Sequence, residues 1–326
     1  MTSTRRIVSL ISSATEMLYL LGLGERVVGV SHECDYPPEI ADKPRLTRSL
    51  VESEAASRQI DEQVKALSSQ QSALYAIDTA RLAALRPDLI VTQAQCDVCA
   101  VRYEDVADAV ASEPALGNTR ILALNPQSIH DVLADLLRVA EAVGDAAVVE
   151  RAGQLKAEME AEIESRRARA SSLTPDRVPR VICLEWIDPP MVAANWMPQL
   201  IAWSGGEAGM TTPGVHSSYA DWDAIVRYDP QLLVVMPCGF DLPRAVAEAQ
   251  ILPSRPGWNE LSAVRGGRVF AVDGNAYFNR SGPRLLDSLE ILGHLIQPDL
   301  FDRPRQPEAA DAWRRLETRG AALVPM

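Results

Sequence analysis

The chain has 326 residues, about twice the roughly 150 of a typical domain, so two lobes are expected. Lys and Arg number 32 against 44 Asp and Glu, a formal net charge of −12 with no basic block, which excludes a nucleic-acid partner and argues against docking on anionic lipid. Hydrophobic residues make up 47% and charged residues 23%, enough to build a real core and to exclude disorder over most of the length.

The chain starts with MTSTRR (1–6), and Ser9, Ser12, Ser13, Thr15 and Glu16 then interrupt the apolar run. An export signal needs about 7–15 apolar residues and a membrane span roughly 18, and neither is found, so no membrane insertion is expected. A cytoplasmic location is expected, or a periplasmic one if an upstream start is missing. RIVSL (6–10) predicts a strand, ATEMLYLLG (14–22) a helix and VVGVS (27–31) a second strand. After a polar stretch, TARLAAL (79–85) reads as helix, PDLIVTQ (87–93) as strand, VRYEDVADAVAS (101–112) as helix and TRILALN (119–125) as strand. Residues 127–143 predict an amphipathic helix with Ile129, Val132, Leu133, Leu136, Leu137 and Ala140 on one face. The segment 145–172 has no Pro and a single Gly, and predicts one helix of roughly 40 Å, stopped by Thr174-Pro175. Alternation then resumes with strand 180–186, helices 197–205 and 221–228, strands 231–237 and 268–274, and helix 282–296. A Pro-bearing tail follows, with a short amphipathic piece around 312–316.

This alternation predicts an α/β fold: two doubly wound parallel-sheet lobes joined by one long rigid helix. The expected boundaries are an N-terminal lobe 1–144, a bridging helix 145–172, and a C-terminal lobe with its tail 173–326.

Ligands of parallel α/β sheets bind at the carboxyl ends of the strands. Reading those loops in order gives Ser13 after the first strand, His32, Glu33 and Cys34 after the second, and Cys96 and Cys99 after PDLIVTQ. Trp186, Cys238 and the group Tyr277, Phe278 and Arg280 follow later strands, and His216 sits in a further loop. Cys34, Cys96, Cys99 and Cys238 have the chemistry to complete a tetrahedral zinc or an iron–sulfur site, or to pack as small inert hydrophobes. His32 could instead be an axial nitrogen for cobalt or haem iron, or a hydrogen-bonded structural residue, and the same structural reading applies to His216. Trp186 suits stacking on a ligand, and Arg280 suits a carboxylate, amide or phosphate group or a plain salt bridge. Cys183, in mid-strand, reads as core. No phosphate loop, HExxH or GxSxG motif and no acid–base pair is found, so no enzymatic activity is expected.

The order SLISSATEMLYLLGLGERVVGVSHECDYPPEI (9–40), ALRPDLIVTQ (84–93), the long helix, WIDPP (186–190), YDPQLLVV (228–235) and AYFNRSGPR (276–284) resembles the class III periplasmic substrate-binding proteins. That family includes the receptors for vitamin B12, ferric siderophores and haem that serve ABC importers, and the resemblance is closest to the B12-binding branch. It implies a corrinoid of the cobalamin type or a similar small metal chelate held between the lobes, small hinge motion, and an ABC importer as partner. Tyr277, Phe278 and Arg280 match that branch. Where the branch usually carries an aromatic after the second strand this chain has His32-Glu33-Cys34, and where it carries another after PDLIV this chain has Gln93 to Cys96. Two readings follow: a corrinoid-binding module, or a thiol-based metalloprotein or enzyme that has reused the cleft.

Overall fold

The computed structural model describes residues 4–70, 72–94, 98, 100–320 and 322–326. The first half contributes β1 (Ile7–Ser9), β2 (Val27–Val30), β3 (Thr47–Ser49), β4 (Tyr75–Ile77), β5 (Leu89–Gln93) and β6 (Arg120–Leu124). Four of these form a parallel sheet in the order β2-β1-β5-β6, while β3 and β4 make a separate antiparallel pair. Helices α1 (Ser12–Leu20), α2 (Ser57–Ser69), α3 (Thr79–Leu85), α4 (Tyr103–Ser112) and α5 (Ile129–Val143) connect them. Ser128 and Asp131 close a reciprocal capping box at the start of α5, and Gly144 ends it at φ +76°, a conformation that costs other residues strain.

The bridging helix α6 runs Ala146–Ala170, with the Asp145 side chain accepting from the Ala147 amide at its start. At 1.5 Å per residue it spans about 37 Å.

The second half adds β7 (Arg180–Trp186), β8 (Met191–Val192), β9 (Glu207–Ala208), β10 (Ser218–Tyr219), β11 (Leu232–Val235), β12 (Val269–Val272), β13 (Trp313–Arg319) and β14 (Ala322–Pro325). Its sheet follows the order β10-β8-β7-β11-β12-β13-β14, with β9 beside β7. The pairings among β7, β9, β11 and β12 are parallel, as expected, but β8, β10, β13 and β14 add antiparallel margins. The Pro-bearing tail thus returns as a hairpin along β12. In WRRLETR (313–319) only Leu316 is fully buried, too weak a period-2 signal to betray a strand in sequence. Helices α7 (Met197–Trp203), α8 (Trp222–Tyr228), α9 (Leu242–Glu248), α10 (Ser262–Arg265) and α11 (Leu285–Ile296) pack on this sheet.

Strand alternation sorts the apolar residues into layers. Val8 and Ile90 enter a cluster on one face of the first sheet, and Ile182, Leu184, Leu233 and Val235 a cluster on one face of the second. Ile7, Leu89 and Val91 on the opposite face of the first sheet join Val181, Cys183, Leu232 and Val234 of the second in one larger cluster, through α1, α5, α6, α7 and α11. The two lobes therefore share a continuous apolar core and are not linked by α6 alone. Cys183 is buried in that core, as its mid-strand position implied.

Candidate functional site

The strand ends of the two sheets meet at an ion-pair network in which Glu16 and Arg280 are buried, Arg284 is half-buried and Asp35 is exposed. Glu16 lies on the first turns of α1 and Asp35 in the loop after β2, while Arg280 and Arg284 lie on the loop between β12 and α11. Arg280 grips Asp35 through two parallel bonds of 2.5 and 2.7 Å, reaches Glu16 at 3.2 Å, and donates to Asn275 Oδ1 at 3.0 Å. Arg284 donates to both Glu16 oxygens, at 2.6 and 3.0 Å, and its guanidinium lies over the rings of Tyr36 at 4.1 Å and Tyr277 at 5.3 Å. Burial works against charge on Arg280, yet Asp35 and then Glu16 outweigh it and raise its pKa further. For Asp35, burial is likewise overcome by Arg280, and its carboxyl is held below the ordinary range.

The loop that carries these arginines is seated by close backbone approach. A Cβ on Gly274 would lie 2.4 Å from the Pro237 carbonyl oxygen, and one on Gly282 would lie 3.3 Å from Ser13 Cα. Ser281 Oγ donates to Ser13 Oγ at 3.4 Å, so Ser13 is a buried interlobe contact.

Beside the network, the loop after β2 presents His32 and Glu33. His32 Nδ1 lies 2.7 Å from Thr47 Oγ1 and its ring packs on Tyr75 with centroids 5.5 Å apart. Burial, then the charge of Arg45, lowers the His32 pKa, which keeps the ring neutral. Burial pushes the Glu33 carboxyl up to about 7, despite the opposing pull of Arg280 and a hydrogen bond with Tyr75. The pair offers hydrogen-bonding groups at the junction: an imidazole disfavoured from charging and a carboxyl that keeps its proton to higher pH than an ordinary glutamate.

On the second lobe, Trp186 packs edge-on against Phe240 with centroids 5.3 Å apart, and the Arg244 guanidinium covers Phe240 at 3.6 Å. The start of α2 lies across this group: Trp186 Nε1 donates to the Ser57 carbonyl at 3.2 Å and Arg244 to the Ala55 carbonyl at 2.8 Å. Glu248 accepts from both the amide and the hydroxyl of Ser57, and Arg58 forms a bidentate pair with Asp188 at 2.8 and 2.9 Å. One turn on, the Tyr219 hydroxyl bonds Asp61, which also pairs with Lys65 at 2.7 Å.

The structure therefore brings Ser13, His32, Glu33, Tyr277 and Arg280 together around one junction and sets Trp186 under α2. Phe278 is placed differently from the expectation. The π-helical turn Gly274–Phe278 rotates it inward, and it is fully buried in the shared core, with its carbonyl accepting from Trp196 Nε1 at 2.9 Å. His216 is exposed on the loop before β10. Cys34 belongs to the apolar core under α1, its sulfur 3.1 Å from Thr15 Oγ1, and burial pushes its thiol up to about 11. Cys238 is half-buried after β11, while Cys96 and Cys99 lie outside the described residues. Among the described residues no group of three or more His, Cys, Asp or Glu could hold a metal ion, and Cys34, an expected ligand, is packed in the apolar core. A cavity of about 590 Å³ lined by Leu173, Val178, Pro198 and Ala202 shares no residue with the junction.

Glu16, Asn275, Arg284, Ser57 and Glu248 escaped the sequence reading. Their partners on the other lobe lie far away along the chain, 268 residues for Glu16 and Arg284, 191 for Ser57 and Glu248, and 240 for Asn275 and Asp35. Two signals were present: a carboxylate in the first turns of a helix at a strand end, and the arginines of RSGPR.

Comparison with known proteins adds to this geometry. A family model described as periplasmic binding protein matches residues 7–276. The uncharacterized ABC transporter substrate-binding lipoprotein YvrC of Bacillus subtilis (strain 168) is 26% identical over 308 residues, covering 91% of this chain and 81% of that protein. The vitamin B12-binding protein of Pectobacterium atrosepticum is 23% identical over 287 residues, with 86% of this chain and 85% of that protein covered. The periplasmic heme-binding protein RhuT from Roseiflexus sp. RS-1, in its apo form, superposes with a TM-score of 0.65 at 25% identity, over 90% of this chain and 98% of that one. The expected cytoplasmic location has no support among these relatives, one named a lipoprotein and another periplasmic. No helix among the described residues is long and apolar enough to cross a membrane.

Proposed function

The chain belongs to the periplasmic binding protein family, whose members are substrate-binding proteins of ABC importers and not enzymes, and from that premise we propose that it captures a neutral or cationic metal chelate of the corrinoid type between its lobes for delivery to such an importer. One observation carries the choice of ligand: the guanidinium groups around the junction are already committed. Arg280 and Arg284 are held by Asp35 and Glu16, Arg58 by Asp188, and Arg45 by the carbonyls of Ser31 and Cys34. Arg244 covers Phe240 and donates to Ala55. A haem brings propionates that need cations when they leave water, and diverting these arginines would strand the buried Glu16. A corrinoid is fringed with amides, which can both donate and accept, so His32 and Glu33 can meet them by hydrogen bonds in either protonation state of the carboxyl. The vitamin B12-binding relatives support the same reading.

The test is a pair of equilibrium titrations of the purified chain, with cyanocobalamin and with haemin, followed by visible absorption. Saturable cyanocobalamin binding with little haemin binding is expected. Haemin binding tighter than cyanocobalamin binding would overturn the ligand choice, and no cyanocobalamin binding at all would overturn the corrinoid reading.

A further inference from the structure

Helix α2 differs from its neighbours in what it buries. Its fully buried residues are Ser57 and Asp61, both polar, and both find their partners on the second lobe. Its apolar residues Ile60, Val64 and Leu67 are only half-buried, and no residue of α2 belongs to any of the three apolar clusters. The segment leaves from β3 and returns into β4, which pair side by side at Thr47↔Ile77, Arg48↔Ala76 and Ser49↔Tyr75. Both ends of the excursion are thus anchored at one place on the first lobe, while its helix meets the second lobe through hydrogen bonds, an ion pair and the Lys65 ammonium over the Tyr219 ring at 4.4 Å.

We infer that α2 is a strap, latched onto the second lobe by Ser57–Glu248 and Arg58–Asp188, which swings open about β3 and β4 and uncovers Trp186 while the lobes stay together. An element that adds no fully buried residue to an apolar cluster opens at modest free-energy cost, because only the half-buried Ile60, Val64 and Leu67 and the covered side of Trp186 gain exposure when it leaves. The latch contacts trade directly for water. The shared core beneath α1, α5 and α11 has no such option, since parting the lobes there would expose a continuous apolar surface. Trp186 lies beneath the strap, edge-on to Phe240, which Arg244 covers, so opening exposes the Trp186 indole between the lobes. As an entry route for a corrinoid the strap rests on the function proposed above; as a mobile element it does not.

The test compares the full chain with its Arg58→Ala and Glu248→Ala variants. Arg58 is largely exposed and Glu248 lies in the last turn of α9, so neither change threatens folding. Hydrogen exchange is read by mass spectrometry over 55–69, with α5 and α11 as internal references. Exchange in α2 should be about tenfold faster in Glu248→Ala and up to about fivefold faster in Arg58→Ala, and unchanged in the references. The cyanocobalamin association rate, read by stopped-flow, should rise in step. Unchanged α2 exchange in both variants, or equal acceleration in α5 and α11, would overturn the strap. Faster α2 exchange without faster association would overturn its role as the entry route. Absence of cyanocobalamin binding in every form would refute the corrinoid reading and leave the exchange result to decide the strap.

Discussion

The two lobes meet along two seams built from opposite materials. One is the apolar cluster running from α1 and α5 through α6 to α7 and α11, with Glu16 and Arg280 buried and Arg284 half-buried at its edge. The other is the start of α2 against Glu248, Asp188, Trp186 and Tyr219, and its contacts are hydrogen bonds and ion pairs with no fully buried apolar residue from α2. The first derives its strength from water excluded over a large area, and its ion pairs must stay complete because an unpartnered buried charge is costly. The second is a set of contacts that water can replace one by one. A binding protein that must hold its lobes in register and still admit a ligand gains from keeping these two properties on separate surfaces.

The largest expected effect comes from damaging the first seam. Glu16→Ala leaves the guanidiniums of Arg280 and Arg284 short of a carboxylate in a buried site and should cost about 3–5 kcal/mol in urea unfolding. Leu292→Ala, a cavity in the shared core, should cost about 2–5 kcal/mol by the same measurement.

A smaller effect concerns Glu33, between the seams. The native chain holds its proton up to about 7, above the ordinary 4.5 of an unfolded glutamate. Its contribution is therefore complete below 4.5 and is lost as pH rises toward about 7. The unfolding midpoint of the wild-type chain, taken relative to Glu33→Gln, should fall across that window and level off above it. Thermal scans at stepped pH check the direction.

The smallest effect belongs to the second seam. Arg58→Ala removes one exposed ion pair and should change global stability by about 0–1 kcal/mol, although it loosens α2. Thiol labelling read by mass spectrometry sharpens the same contrast. The half-buried Cys238 should react well before Cys34 and Cys183, whose thiols burial keeps protonated.

The first seam was more legible in sequence than the second. The stripe Ile129, Val132, Leu133, Leu136 fixed α5 and its buried face, and the Pro-free run before Thr174-Pro175 fixed α6, because local periodicity and breakers decide helices that pack on a core. Helix α2 lay inside what read as a polar stretch, since its Ile60, Val64 and Leu67 stripe is set among Ser, Arg, Gln, Asp, Glu and Lys and its closest partners lie on a distant lobe. Cys34 and Phe278 were placed correctly along the chain and wrongly in space. Each follows a strand, but the local turn directs its side chain into the core rather than the cleft. Glu16 reads locally as one more exposed helix carboxylate, and only the fold brings Arg280 and Arg284 onto it.

Native-state hydrogen exchange of the unmodified chain, followed over a series of low denaturant concentrations, tests the contrast between the seams most directly. The account predicts that amides of α5 and α11 exchange only through an opening that depends steeply on denaturant and matches global unfolding. Those of α2 should exchange through a cheaper opening nearly independent of denaturant, because it exposes little surface. A single steep dependence shared by α2, α5 and α11 would contradict it.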